Sequence, residues 1–155
     1  MVGGGWLIMR CLRPVIPGSQ RSALIYQLPI MKSAKLSAAG GTTINPRYRV
    51  YREGILVLGP GKAELLGLVA KTGSISEAAR QMDMSYNRAW LHIKMMNEGF
   101  QEPLVLSTRG GTTGGGAMLT PTGEKVMALW ADLEREAQTA TKKTRADLQK
   151  LLAKG

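Results

Sequence analysis

The sequence predicts a mainly α chain with small β-hairpins, and three observations carry that prediction. Between residues 63 and 100 apolar side chains recur at helical spacing in three blocks, separated by the turn-formers Gly73 and Asp83. Residues 104–119 then read as two short strands around a Gly-rich loop. Finally, Thr120-Pro121 opens an amphipathic stretch that continues almost to the end of the chain. Three helices, a hairpin and a closing helix, in that order, make a winged helix-turn-helix with a long C-terminal dimerisation helix.

At 155 residues the chain holds about one domain plus flanks. Its 44% hydrophobic and 21% charged residues are ordinary for a folded protein. The net charge of +10 is unevenly spread, because residues 1–52 hold 8 Lys/Arg and no Asp/Glu, while the remainder holds 13 against 11. Overall basicity is therefore weak evidence for a nucleic-acid partner, and the placement of individual charges on the folded part matters more. A single cysteine, Cys11, permits no internal disulfide, and no Cys/His set has metal-ligand spacing, so a reducing, cytoplasmic setting is expected. No apolar run approaches the ~20 residues that span a bilayer, so no membrane segment is expected. Arg10 and Arg13 interrupt the N-terminal apolar run where a secretory signal would continue.

Residues 1–44 mix Gly and Pro with scattered apolar residues and show no sustained period, which reads as a flexible basic arm. Within it, Met31 begins a more typical N-terminus, MKSAKLS, so residues 1–30 are expected to be an upstream extension. The helix-turn-helix domain is expected over residues 45–123. It opens with a hairpin over 47–58, where polar and apolar residues alternate around a Glu53-Gly54 turn, ended by Gly59-Pro60-Gly61. A first helix follows over 63–71, its stripe formed by Leu65, Leu66, Val69 and Ala70, with Gly73 as the stop signal.

Ser76 is the expected N-cap of a short second helix ending at Met82, in which Ala78 and Ala79 permit close approach of the next helix. Asp83 takes the turn position that needs a left-handed backbone, Met84 faces the core and Ser85 caps the third helix. In that helix, over 85–100, Ala89, Ile93, Met96 and Phe100 form the buried stripe and leave Tyr86, Asn87, Arg88 and Lys94 outside it. Residues 104–108 and 117–119 are the strands of the wing and 110–116 its loop. A helix over 120–153 follows, about 30 residues long or ~45 Å. Its N-cap is Thr120, Glu124 lies in its first turn, and its stripe runs through Val126, Leu129, Trp130, Leu133 and Ala137, resuming at Leu148, Leu151 and Leu152.

Reading DNA with this architecture requires side chains at the start of the third helix that reach base edges, with donors around them that hold phosphates. Tyr86, Asn87 and Arg88 occupy the first role; Asn pairs bidentately with adenine and Arg with guanine. Lys94 lies on the same exposed side. Ser85 combines capping with donation to a phosphate. In the wing, Arg109 with the hydroxyls of Thr108, Thr112 and Thr113 suits a phosphate backbone or a minor groove. The bland alternatives are a solvated helix face and a mobile hairpin tip. Trp90, one position off the stripe, reads as a core-margin residue in preference to a DNA contact, and His92 as a surface or satisfied histidine.

The segments SISEAA, SYNRAW, GG..GGGA and LTPTG occur together over roughly residues 55–135. They make this region resemble the N-terminal DNA-binding domain of ModE-type, molybdate-responsive regulators and, more distantly, that of LysR-type regulators. The resemblance implies a homodimer, paired through the long C-terminal helices, that binds an inverted repeat in double-stranded DNA with its recognition helices roughly 34–36 Å apart, often as a repressor of molybdate uptake. It also implies molybdate as an effector, but members of that family continue into a C-terminal molybdate-binding region, which the sequence is expected to lack; no cofactor is expected. The alternative is a winged-helix adaptor that binds protein and not DNA. An enzyme is not expected, because no nucleophile-base pair, carboxylate pair or metal set is evident.

Overall fold

The computed structural model describes residues 44–108 and 115–152. The chain runs β1 (Val50–Arg52), β2 (Ile55–Leu58), α1 (Pro60–Thr72), α2 (Ile75–Gln81), α3 (Tyr86–Gly99), β3 (Val105–Ser107), β4 (Ala117–Leu119), α4 (Pro121–Ala140) and α5 (Lys142–Leu151). Each strand pair is a separate antiparallel hairpin, with Arg52 opposite Ile55 in the first and Ser107 opposite Ala117 in the second. The first turns at Glu53-Gly54, both at positive φ, the geometry a two-residue hairpin loop requires.

Helix α1 begins earlier than the apolar period suggests. Pro60 stands at its first position, where a missing N–H costs nothing, so the Gly-Pro-Gly run is a helix start as well as a hairpin end. The helix ends at Gly73, whose φ of 67° is left-handed and whose N–H donates to Val69 O. The N-cap of α2 is Ser74, not Ser76. Ser74 Oγ accepts from Glu77 N–H, a Ser-x-x-Glu start that outcompetes the second serine, which lies inside the first turn. Glu77 is also held by Arg80 and Gln81, and these hydrogen bonds draw its carboxyl down to about 2.

Leu65, Leu66, Val69, Ala78, Ala89, Met96 and Leu104 are fully buried where α1, α2, α3 and the base of the wing meet. Burying each large member contributes about 1.5–3 kcal/mol, the main term holding three short helices together. Lys62 is buried beside this core. Its amine donates to Leu56 O and lies 3.9 Å from Met95 Sδ, and burial pushes its pKa down.

The C-terminal stretch is two helices where one was expected. Thr141, at φ −95° and ψ 2°, ends α4. Its hydroxyl donates to Ala137 O, and Arg145 reaches back to Thr141 Oγ1, Gln138 O and Ile44 O, fixing the joint. Of the expected stripe, Val126, Trp130 and Ala137 face the body, whereas Leu129 and Leu133 face out. At the start of α4 a Cβ on Gly123 would collide with Leu104 O, so only glycine lets the helix pass this close to the residue that leads into β3.

Candidate nucleic-acid interface

The turn between α2 and α3 sets the site. Asp83 takes φ 52°, Met84 N–H donates to Ala79 O at 3.1 Å, and the chain is thereby turned so that Met84 packs on the core while Ser85 stands at the start of α3. Ser85 Oγ accepts from Arg88 N–H at 3.3 Å. That bond uses the serine as an acceptor, so its own O–H remains able to donate. The first turn of α3 carries no acidic residue, leaving the positive end of the helix dipole uncompensated.

Ala89, Ile93 and Met96 point into the core, and the opposite side of α3 is open. Tyr86 is 49% exposed, and Asn87 and Arg88 are exposed beside it. Lys94 is exposed too, with its amine 3.8 Å from Glu98 Oε1. The structure thus brings Ser85, Tyr86, Asn87, Arg88 and Lys94 onto one accessible helix. Arg109, Thr112 and Thr113 lie outside the described residues. The base of their loop is described: Thr108 N–H donates to Gly116 O at 2.9 Å and Gly116 N–H to Thr108 Oγ1 at 3.3 Å.

Two expectations on α3 change. Trp90 is 45% exposed and stands outside the core cluster, because the Ala89–Ile93–Met96 stripe is narrow and packs against small alanines of α2, leaving the indole uncovered. His92 is neither fully at the surface nor satisfied. Its Nδ1 is buried without a hydrogen-bond partner among the described residues, and burial, followed by the charges of Lys62 and Arg88, lowers its pKa.

Sequence reasoning missed Asn97. Its amide donates to Val105 O at 2.8 Å and its carbonyl accepts from Leu104 N–H at 2.9 Å and Val105 N–H at 3.1 Å, so one side chain splices the base of the wing to α3. Its position on α3 carries no sequence signal of this role, because its partners are supplied only when β3 packs beside it. The other strand is tied by Ala117 N–H to Gly73 O at 2.8 Å, and the exit of the wing by Thr120 N–H to Leu104 O at 2.9 Å. Direct hydrogen bonds therefore join α3 to the base of the wing.

No described helix is long and apolar enough to cross a membrane, and among the described residues no group of three or more His, Cys, Asp or Glu could hold a metal ion. Residues 62–124 match the family described as bacterial regulatory helix-turn-helix protein, lysR family. Three relatives are similar over about half of this chain. The molybdenum-pterin-binding protein MopB of Rhodobacter capsulatus is 43% identical over 77 residues, 50% of this chain and 28% of its own. The molybdenum transport protein ModE of Azotobacter vinelandii is 40% identical over 79 residues, 51% of this chain and 29% of its own. The DNA-binding transcriptional dual regulator ModE of Escherichia coli K12 is 38% identical over 81 residues, 52% of this chain and 31% of its own. The matched segments span under a third of the length of these relatives.

Proposed function

We infer, from a chain whose residues 62–124 form a LysR-type helix-turn-helix domain, that the protein is a sequence-specific DNA-binding transcriptional regulator linked to molybdate. The observation that carries this reading is the open face of α3, where Tyr86, Asn87 and Arg88 stand uncovered above a rigid Ala89–Ile93–Met96 stripe. In this reading α3 enters the major groove, and Asn87 and Arg88 pair with base edges. Ser85, Lys94 and the wing residues Arg109, Thr112 and Thr113 hold the flanking phosphates and set the register. The link to molybdate and the role as a repressor rest on likeness to ModE proteins. The working form is a homodimer in the bacterial cytoplasm, joined through α4 and α5, whose exposed Leu129, Leu133, Leu148 and Leu151, with Leu152 just beyond, supply the apolar surface.

Selection of preferred sequences from random duplex DNA, with and without molybdate, tests the reading. The expected product is an inverted repeat bound in a salt-sensitive way. Arg88→Ala should then weaken operator binding by about 1–3 kcal/mol and blur preference at one position in each half-site. Equal losses on operator and random DNA would remove Arg88 from base reading. A protein that retains no duplex at low salt would be the protein-binding adaptor instead.

A further inference from the structure

The side of α3 turned away from the core carries more than hydrogen-bonding groups. Trp90 is 45% exposed and Leu91 50% exposed, one helical turn beyond Tyr86 and Asn87 respectively. Single exposed apolar residues are unremarkable on a protein surface. Two adjacent ones, on the second turn of a helix whose first turn bears Asn87 and Arg88, form an apolar spot inside a polar field. Lys94 stands one turn further on, its amine 5.8 Å from the centroid of the Trp90 ring, so the indole is bordered by a cation.

That mixture decides between occupants. A protein partner that buried this spot would also have to desolvate Asn87, Arg88 and the Lys94–Glu98 pair, and the chain exposes several aliphatic residues, Leu129, Leu133, Leu148 and Leu151, on α4 and α5 for such contacts. A duplex offsets that cost at Asn87, Arg88 and Lys94, because its phosphates and base edges hydrogen-bond to those three while one base shows an apolar group in the major groove. That group is the C5 methyl of thymine.

We propose that Trp90 and Leu91 read thymine, packing their exposed side chains against C5 methyl groups in the major groove, one helical turn beyond the bases met by Asn87 and Arg88. The proposal rests on the regulator reading above and deepens it. It adds two specificity-determining residues and names the base they recognise. Lys94, next to the indole, stays with the adjacent backbone.

The test replaces thymines of the selected site, one at a time, by deoxyuridine, which deletes the methyl and leaves base pairing intact. Wild-type protein should lose about fourfold in affinity for each contacted methyl. Trp90→Gln and Leu91→Ala should each bind the thymine and uridine duplexes equally at one position, and Trp90→Phe, which keeps an apolar ring, should retain discrimination. Both residues are exposed, and an unchanged circular dichroism spectrum checks the fold of each variant. Methyl-blind binding by the wild type overturns the proposal while leaving the regulator reading intact. So does methyl sensitivity that survives in both variants, or a Trp90→Gln protein that discriminates normally but has lost its oligomeric state. Failure of the wild type to retain any duplex overturns the regulator reading and this proposal with it.

Discussion

The outward faces of α3 and of α4–α5 are both exposed, and they are made of different chemistry. On α3, Tyr86, Asn87, Arg88, Trp90, Leu91 and Lys94 interleave aromatic, amide, cationic and aliphatic groups. On α4 and α5 and at the residue that follows, the large exposed apolar residues are leucines: Leu129 at 55%, Leu133 at 38%, Leu148 at 49%, Leu151 at 82% and Leu152 at 47%. An aliphatic surface gains from contact only when another apolar surface covers it. A mixed face gains from a hydrated, charged partner that carries a few apolar spots. One small protein thus presents two surfaces suited to two kinds of partner, and the base of the wing holds them in fixed relation.

The largest expected effect comes from spoiling the aliphatic face. Leu129→Glu combined with Leu133→Glu should leave the helix-turn-helix folded, because neither residue belongs to the buried cluster. The pair of charges should convert the proposed homodimer to monomer. Loss of the second recognition helix then lowers affinity for a two-half-site operator by about 10²-fold or more, with single half-site binding little changed. Sedimentation and titration of the two duplexes measure both. A dimer that persists, or a collapse of Tm, would mean that this face serves something other than self-association.

Gly123→Ala should sharpen the comparison from the other direction, by loosening the connection between the faces. The added methyl would meet Leu104 O, a backbone atom that cannot swing aside, so α4 must move off the residue that leads into β3. The expected cost is about 1–3 kcal/mol of stability. In the proposed homodimer the pose of α4 relative to α3 would set the separation of the two α3 helices, so binding to the full operator should fall more than binding to one half-site. Equal falls would show that spacing does not depend on this contact.

Much of this was legible in the residues. Thr120-Pro121, Gly73 and Asp83 mark helix limits by local backbone chemistry, which acts wherever the chain sits, and each occupies its expected place. The period of α3 likewise separates Ala89, Ile93 and Met96 from Tyr86, Asn87 and Arg88. What could not be read depends on partners distant in sequence. The apolar stripe of the last helix merges Val126 and Trp130, which meet the body, with Leu129 and Leu133, which do not, since hydrophobic spacing does not say how much of a stripe is covered. The break at Thr141 is held by Arg145 reaching Ile44 O, a contact across most of the chain. Trp90 lay one position off the stripe, where only the size of its neighbours decides its burial, and Asn97 reveals itself only when β3 arrives beside it.

The smallest effect expected is one of pH, and it should have opposite signs in the two regions. His92, on α3, has its pKa lowered from 6.5 by burial and by Lys62 and Arg88, so the stability it contributes is present above 6.5 and is lost as the pH falls through its folded value. Glu134, on α4, has its carboxyl raised from 4.5 by burial, against an opposing hydrogen bond from Trp130. Its contribution is complete below 4.5 and is lost as the pH rises through its folded value. Both groups are partly solvated, which limits each effect to a small shift in Tm. Relative to wild type, His92→Gln should therefore gain stability in mildly acidic buffer more than near neutrality. Glu134→Gln should gain near neutrality and lose that advantage once the pH drops below the ordinary carboxylate range. Calorimetric Tm profiles of the three proteins across that interval check the signs, and variants whose advantages grow in the same direction would show that the two helices do not carry opposite titrations.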